Sequence, residues 1–337
     1  MSAETEDRGA RRPPVVVVVT LLTALLAVLL IAFAWPAARS QPRDLPLAVA
    51  GTPAVVAQVS SGLEQALPGG FKIQAVPDRG AAVKAIEDRD VYGAIVLDAQ
   101  NAEVLTASAG GPAVAQILAQ LPARLAAQHP GVTPKVTDVV PVPADDPRGS
   151  GLAAGALPLV LGGILAAAAL TQLVQAGAGR VIGAVGFAIT GGLALTAILQ
   201  FWLGSIEGNY WVNASVIAFS VAATCTTLLG LEWLLGTLGL GLGSATMMLL
   251  GNPLSGLTSA PEMLPSGWGA LGQLLPPGAA GTALRSVAFF DGAGAGRPLL
   301  VLSCWLAGGL LLCGLGATRS RSRSAVHGRR EASPLTV

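Results

Sequence analysis

Two apolar stretches limit what this chain can fold into. Val15–Trp35 is uninterrupted and as long as a bilayer crossing, and Leu152–Leu203 is long enough for two crossings with a single charge, Arg180. A crossing helix needs roughly 20 predominantly apolar residues. An arginine at mid-helix costs about 2.5–3.5 kcal/mol on insertion, so Arg180 predicts a turn at Gln175–Arg180 with one span on each side. Trp211–Gly251 is again about two spans long. Glu232 near its middle predicts a second turn around Gly230–Trp233, with Glu232 and Trp233 at an interface. Pro298–Ala317 makes the last span. The expectation is a polytopic α-helical membrane protein with six transmembrane helices. Composition agrees: the chain is 52% hydrophobic and 12% charged, where a soluble domain carries about 25% charge.

Between the first two spans the chain changes character. Residues 36–150 mix basic and acidic side chains and have the size of a domain. Leu45–Ala50 reads as a strand, Pro53–Leu67 as a helix with Val56, Val59, Leu63 and Leu67 on one face, and Phe71–Val76 as an alternating strand. Asp78 is placed to cap a helix from about Gly80 to Asp88. Tyr92–Leu97 reads as a buried strand that pairs with Ala102–Ser108 across Ala99–Asn101. Val114–Gln128 reads as a helix and Lys135–Val140 as a final strand. Strands alternating with helices predict a small α/β sandwich. The run Glu87, Asp88, Arg89 and Asp90 reads as a solvated helix end. Pro141–Ser150 reads as a solvated linker; its Asp145 and Asp146, with Asp138, lack the spacing of a calcium loop.

Gly251–Asp291 is apolar but broken at Pro253, Pro261, Pro265, Pro276 and Pro277. Proline interrupts helix interiors, so this stretch cannot be one straight span. It predicts short helices at one membrane face, tolerated at membrane depth only when buried against protein or lining a cavity. Pro276 and Pro277 should separate two of them, with Arg285 and Asp291 at the aqueous edge. The succession Asn252-Pro253-Leu-Ser-Gly256, then Met-Leu-Pro265, then Leu-Pro276-Pro277, all before a final span, resembles the membrane subunits of ABC type-2 exporters. In that family a re-entrant elbow on the outer side sits between the fifth and sixth spans. An α/β domain between the first two spans is similar to one branch of the family.

Arginine placement gives an orientation, because cytoplasmic segments are enriched in Lys and Arg. Arg8, Arg11 and Arg12 precede the first span, Arg319, Arg321, Arg323, Arg329 and Arg330 follow the last, and Arg180 falls on the same side. Residues 1–14 are then a cytoplasmic N-tail, 15–35 the first span and 36–150 an extracytoplasmic α/β domain. Residues 151–317 form a five-helix membrane domain with its elbow at 251–291, and 318–337 a basic cytoplasmic tail. Trp35, Phe201, Trp202, Tyr210, Trp211, Phe289 and Phe290 map to the outer interface as an aromatic belt. Ala32-Phe33-Ala34 has the form of a signal-peptidase site, but the apolar stretch exceeds the usual 7–15-residue signal core, so an uncleaved anchor is favoured. Small-residue surfaces at Gly183, Gly186, Gly191 and Gly192, and at Gly236, Gly239, Gly241 and Gly243, would let helices approach closely.

Catalytic patterns are missing from the sequence. His129 and His327 lie outside the apolar runs, so no HExxH sits in a span, and no span carries an aspartate pair. Lys72, Lys84 and Lys135 are the only lysines and none lies in a GxxxxGK[ST] loop. Cys225, Cys304 and Cys313 form no CxxC pattern. Enzyme chemistry and a cofactor in this chain are not expected, and a net charge of +1 gives no basic surface for nucleic acid.

The resemblance implies a permease subunit in the plasma membrane that moves a lipid, drug or cell-envelope substrate outward. It would pair with a second permease subunit, identical or different, and with an ABC ATPase that carries the ATP. Gln175, Arg180 and Glu232 are the expected ATPase contacts. Asn252, Pro253, Gly256, Pro265, Pro276 and Pro277 are the expected elbow. The alternative is a non-transporting scaffold or receptor that displays residues 36–150 outside.

Overall fold

The computed structural model describes residues 14–97, 102–121 and 135–331, with side chains through 318. The Ala99–Asn101 turn, the far end of the helix expected to reach Gln128 and the N-terminal arginine cluster lie outside the described residues, as do the side chains of the C-terminal arginine cluster.

Helix α1 (Val15–Ala38) leads into a five-stranded sheet. Its strands are β1 (Leu45–Ala50), β2 (Phe71–Val76), β3 (Gly93–Leu97), β4 (Ala102–Thr106) and β5 (Lys135–Asp138), in the order β2-β1-β3-β4-β5. β1 runs parallel to β2 with Leu45 opposite Phe71, and parallel to β3 with Ala48 opposite Ala94. β3 and β4 are antiparallel, as the paired apolar runs predict, and β4 and β5 are parallel. β1 has helices on both sides, so it reads as nearly continuous apolar sequence. Leu45, Leu47 and Val49 pack with α2 (Pro53–Ala66) and α4 (Pro112–Leu118) on one face. Ala48 packs on the other with α3 (Arg79–Glu87). Asp78 caps α3 by accepting from the Ala81 amide at 2.8 Å.

The second half is a helix bundle. α5 (Ser150–Leu173), α6 (Ala178–Ala197), α7 (Tyr210–Leu235) and the last helix, α11 (Gly296–Glu331), are long. With α1 they are the five described helices long and apolar enough to cross a membrane, the mark of a multi-pass membrane protein. α7 is the hub and packs against α5, α6 and α11. Asn209 starts it by accepting from the Trp211 and Val212 amides at 2.9 and 3.2 Å, which satisfies two otherwise unpaired donors. Gly230 of α7 faces Gly309 of α11 so closely that a Cβ on Gly309 would lie 2.6 Å from the Thr227 amide nitrogen. Gly192 of α6 meets α7 in the same way at the Ala214 carbonyl. Gly186, Gly236 and Gly241, from the same expected small-residue surfaces, have no such neighbour.

Two expectations for the spans of this half need correction. α7 runs on to Leu235, and the turn expected around Gly230–Trp233 falls at Gly236, whose φ of +66° suits glycine. Glu232 can stay inside the helix because a cation neutralises it. The fifth expected span is short: the apolar helix after Gly236 covers Thr237–Gly251. It comprises α8 (Thr237–Thr246) and one wide turn over Met247–Gly251. At 1.5 Å per residue it reaches roughly 22 Å, less than the roughly 30 Å hydrocarbon core. It returns the chain from the Glu232 end of the bundle to the end that carries the sheet.

There the elbow begins. Gly256 takes a φ of +70°, followed by a short turn at Pro261–Met263, α9 (Trp268–Gln273) and α10 (Pro276–Phe289). Pro276 and Pro277 open α10, where a missing amide costs nothing. A Cβ on Gly272 would lie 1.7 Å from the Leu254 carbonyl oxygen, so only glycine lets α9 lie against the elbow backbone. Asp291 is exposed as expected, but Arg285 is not at an aqueous edge: it is 4% exposed, on the buried side of α10.

Candidate functional site

The sheet and the elbow share their cores. Ala260 and Met263 lie among Leu45, Leu47, Ile95 and Val104 on one face of the sheet. Phe290 lies among Ala48, Ile86 and Leu105 on the other, so it serves the domain core and not the expected aromatic belt. Polar bonds reinforce this seam. The Gln41 amide donates to the Met263 carbonyl at 2.9 Å and the Arg43 amide to the Glu262 carbonyl at 3.0 Å. The Arg43 guanidinium donates to the carbonyls of Met263 and Leu264 at 3.0 and 2.9 Å. Elbow carbonyls that proline-rich turns leave without helical partners are thereby satisfied.

Arg89 overturns its reading as part of a solvated helix end. It follows α3 with φ of +61° and is half-buried. Its guanidinium donates to the Thr282 carbonyl at 3.1 Å and to the Ser286 hydroxyl, and lies 5.2 Å from the Phe290 ring centre. Burial lowers its pKa from the ordinary value, against the opposing pull of Tyr92 and Glu262. Tyr92 donates to the Glu262 carboxylate at 2.7 Å. Burial first, and then the Glu262 charge, push the Tyr92 phenol up, so it stays protonated and remains a donor. These groups line a groove of about 450 Å³ between sheet and elbow, with Arg43, Arg297, Pro265 and Gln273 also on its walls. That volume is in the range of small-molecule sites. No local sequence signal marks the groove: Tyr92 and Glu262 stand 170 positions apart.

Gln273 fastens the elbow from within. Its amide nitrogen donates to the Ser255 carbonyl at 2.9 Å, and its oxygen accepts from Thr282 at 2.7 Å. Of the expected elbow residues, Asn252 closes the wide turn that ends the short apolar helix, its amide donating to the Met247 carbonyl at 3.1 Å. Pro253 follows it, Pro265 borders the groove, and Pro276 and Pro277 are buried. The expected linker is also ordered. Asp146 is 8% exposed and accepts from the Ser150 and Gly151 amides at 3.0 and 2.7 Å. Burial would raise its carboxyl pKa, but those backbone bonds and the hydroxyls of Ser205 and Ser150 together outweigh burial and hold it below the ordinary value.

At the opposite end of the bundle, Arg180 and Glu232 meet at 2.9 Å with side chains 10% and 16% exposed. Arg180 also donates to the carbonyls of Thr171 and Val174 at 2.7 and 2.9 Å. One guanidinium therefore closes the C-terminal end of α5, sits at the start of α6 and neutralises an acid near the end of α7. Gln175 is exposed on the turn between α5 and α6. Of the three expected contact residues, Arg180 and Glu232 are spent on each other and Gln175 faces outward. Among the described residues, no cluster of His, Cys, Asp and Glu is arranged to hold a metal ion.

No protein-family model matches the chain, and no curated protein matches it.

Proposed function

We propose that this chain is the transmembrane permease subunit of an ABC type-2 exporter. It pairs with a second permease subunit, and the ATP is bound and hydrolysed by a separate ATPase. The observation that carries this reading is the path of residues 237–295: a short apolar helix, a proline-broken elbow, then the last long helix. Six crossings of the plasma membrane follow if the short helix counts as one. They leave both termini cytoplasmic and the sheet outside. The Arg180–Glu232 clasp supports the same reading, because it joins three helices at the face where an ATPase would push. A turn braced in that way passes on motion that a loose loop would absorb. Gln175, on the exposed part of that turn, is the contact residue, and the substrate is a lipid, drug or cell-envelope component.

The shared core of sheet and elbow favours a second reading, a scaffold or receptor that displays the domain rigidly outside. Co-expression with an ATPase encoded beside this chain separates the two. Export predicts co-purification and ATP hydrolysis, with Gln175→Trp lowering both while the melting temperature of the purified chain stays unchanged. Failure to bind any such ATPase contradicts export and leaves the scaffold.

A further inference from the structure

The groove between sheet and elbow is surrounded by arginines without acidic partners. Among the described residues the ion pairs are Arg79–Glu103, Lys84–Asp88 and Arg180–Glu232. Arg43 is spent on backbone carbonyls, and Arg89 on a carbonyl and a hydroxyl. Arg297 stands exposed on the rim. Behind the wall, Arg285 is 4% exposed, holds only the Leu257 carbonyl at 3.2 Å, and leaves its Nε without a partner. A buried guanidinium remains charged, and burying a charge without a counter-charge is costly. The acids nearby match the three arginines of the lining and leave none for Arg285. Asp44 and Asp90 are exposed on the rim, and the carboxylate of Glu262 is engaged by Tyr92. Arg43, Arg89 and Arg297 stand against Asp44, Asp90 and Glu262 in the lining, so Arg285 behind it leaves one positive charge in excess beside a space large enough for a small anion-bearing molecule.

One side of that space is apolar and continuous with the lipid-facing surface. α9 turns Gly269, Ala270 and Gln273 toward the groove and exposes Trp268, Leu271 and Leu274 on its other side. Trp268 meets Trp35, near the end of α1, edge to face at 5.6 Å. Tryptophans of this kind collect at the membrane–water boundary. We propose that the groove binds the phosphate headgroup of an amphiphile, its head against Arg89 and Arg297 and its apolar tail leaving over α9 into the bilayer. Guanidinium groups suit phosphate because their paired N–H donors match its oxygens. The site stands whether or not the chain transports anything, so its test is independent of any ATPase.

The test uses the full chain in a neutral detergent and three probes: dihexanoyl phosphatidic acid below its micellar concentration, glycerol 3-phosphate, and dihexanoyl phosphatidylcholine. Calorimetric titration should show the phosphatidic acid binding about tenfold tighter than either other probe. Arg297→Gln, which breaks no internal bond, should weaken that binding about tenfold without moving the melting temperature. Arg79→Gln, whose partner is Glu103, should leave it unchanged. Equal affinity for glycerol 3-phosphate would assign the site to a soluble phosphate ester and overturn the lipid assignment. No binding, or equal loss in the Arg297 and Arg79 variants, would overturn the site altogether.

Discussion

Helices α1 and α7 invert the rule that governs soluble proteins. α1 has the higher mean hydropathy, 3.1 against 1.8, yet none of its most apolar window is buried, while 72% of the corresponding window of α7 is. In water the more apolar helix would be the inner one. In a bilayer the lipid tails are as apolar as leucine, so hydrophobicity gives a helix no reason to leave them. α7 is central because it carries what lipid cannot satisfy and what lets backbones touch. Asn213, Ser220, Thr224, Thr226 and Thr227 are buried along it. Thr227 donates to the Trp305 carbonyl of α11 at 3.1 Å, and Asn213 to the Glu207 carbonyl at 2.7 Å. α1 is almost all Val, Leu, Ala and Ile and has no such bonds to the bundle.

The contrast can be broken most severely at the α7–α11 crossing. A Cβ on Gly230 would lie 2.6 Å from the Leu312 Cβ and 2.8 Å from the Gly309 carbonyl oxygen, neither of which can swing away. Gly230→Leu should cost at least about 3 kcal/mol in detergent unfolding, and a melt indistinguishable from the parent would mean that the crossing is loose. Next comes Arg180→Gln, which strands a largely buried Glu232. Allowing for residual solvent exposure, the loss should be about 2–3 kcal/mol. Arg180→Met combined with Glu232→Met should recover most of it, since an apolar pair leaves no charge unmatched. A double variant as unstable as the single would show that the cost lies in packing.

A smaller effect belongs to Asp146 at the start of α5. Asp146→Ala removes the acceptor of two amides and should cost about 1 kcal/mol at neutral pH. The sign of its pH dependence follows from its depressed carboxyl pKa. The contribution is present above the ordinary value of about 3.9 and is lost as pH falls through the lower folded value. Parent and variant melting temperatures should therefore converge in acid, and a constant gap down to pH 2 would contradict the assignment. The smallest effect is expected in α1. Leu25→Ala with Leu26→Ala should change bundle stability by less than about 0.5 kcal/mol, and a larger loss would show that α1 packs against the bundle.

These contrasts also show where sequence runs out. Apolar length placed α1, α5, α6 and α11, and short apolar runs, with alternation at Phe71–Val76, placed the strands, because those signals are local. Proline positions anticipated the break between α9 and α10. The position of α7 at the centre was not legible, since a buried face in a membrane need be no more apolar than a lipid-facing one. The Arg180–Glu232 pair joins residues 52 positions apart, and the bond from Arg43 to Leu264 spans 221. Each acid or base, read alone, looked like an interface residue or a solvated charge. Phe290 looked like a belt aromatic for the same reason: nothing within its own segment reveals the sheet above it.

Sidedness is the claim on which the exporter reading depends most. In a chain with Cys225, Cys304 and Cys313 replaced by serine, a single cysteine is placed at exposed Asp88 of the sheet domain or at exposed Gln175 of the α5–α6 turn. Intact cells are then treated with a membrane-impermeant maleimide. The cysteine at 88 should label at once, and that at 175 only after the membrane is opened. Labelling of 175 in intact cells, or of both positions alike, would contradict the account.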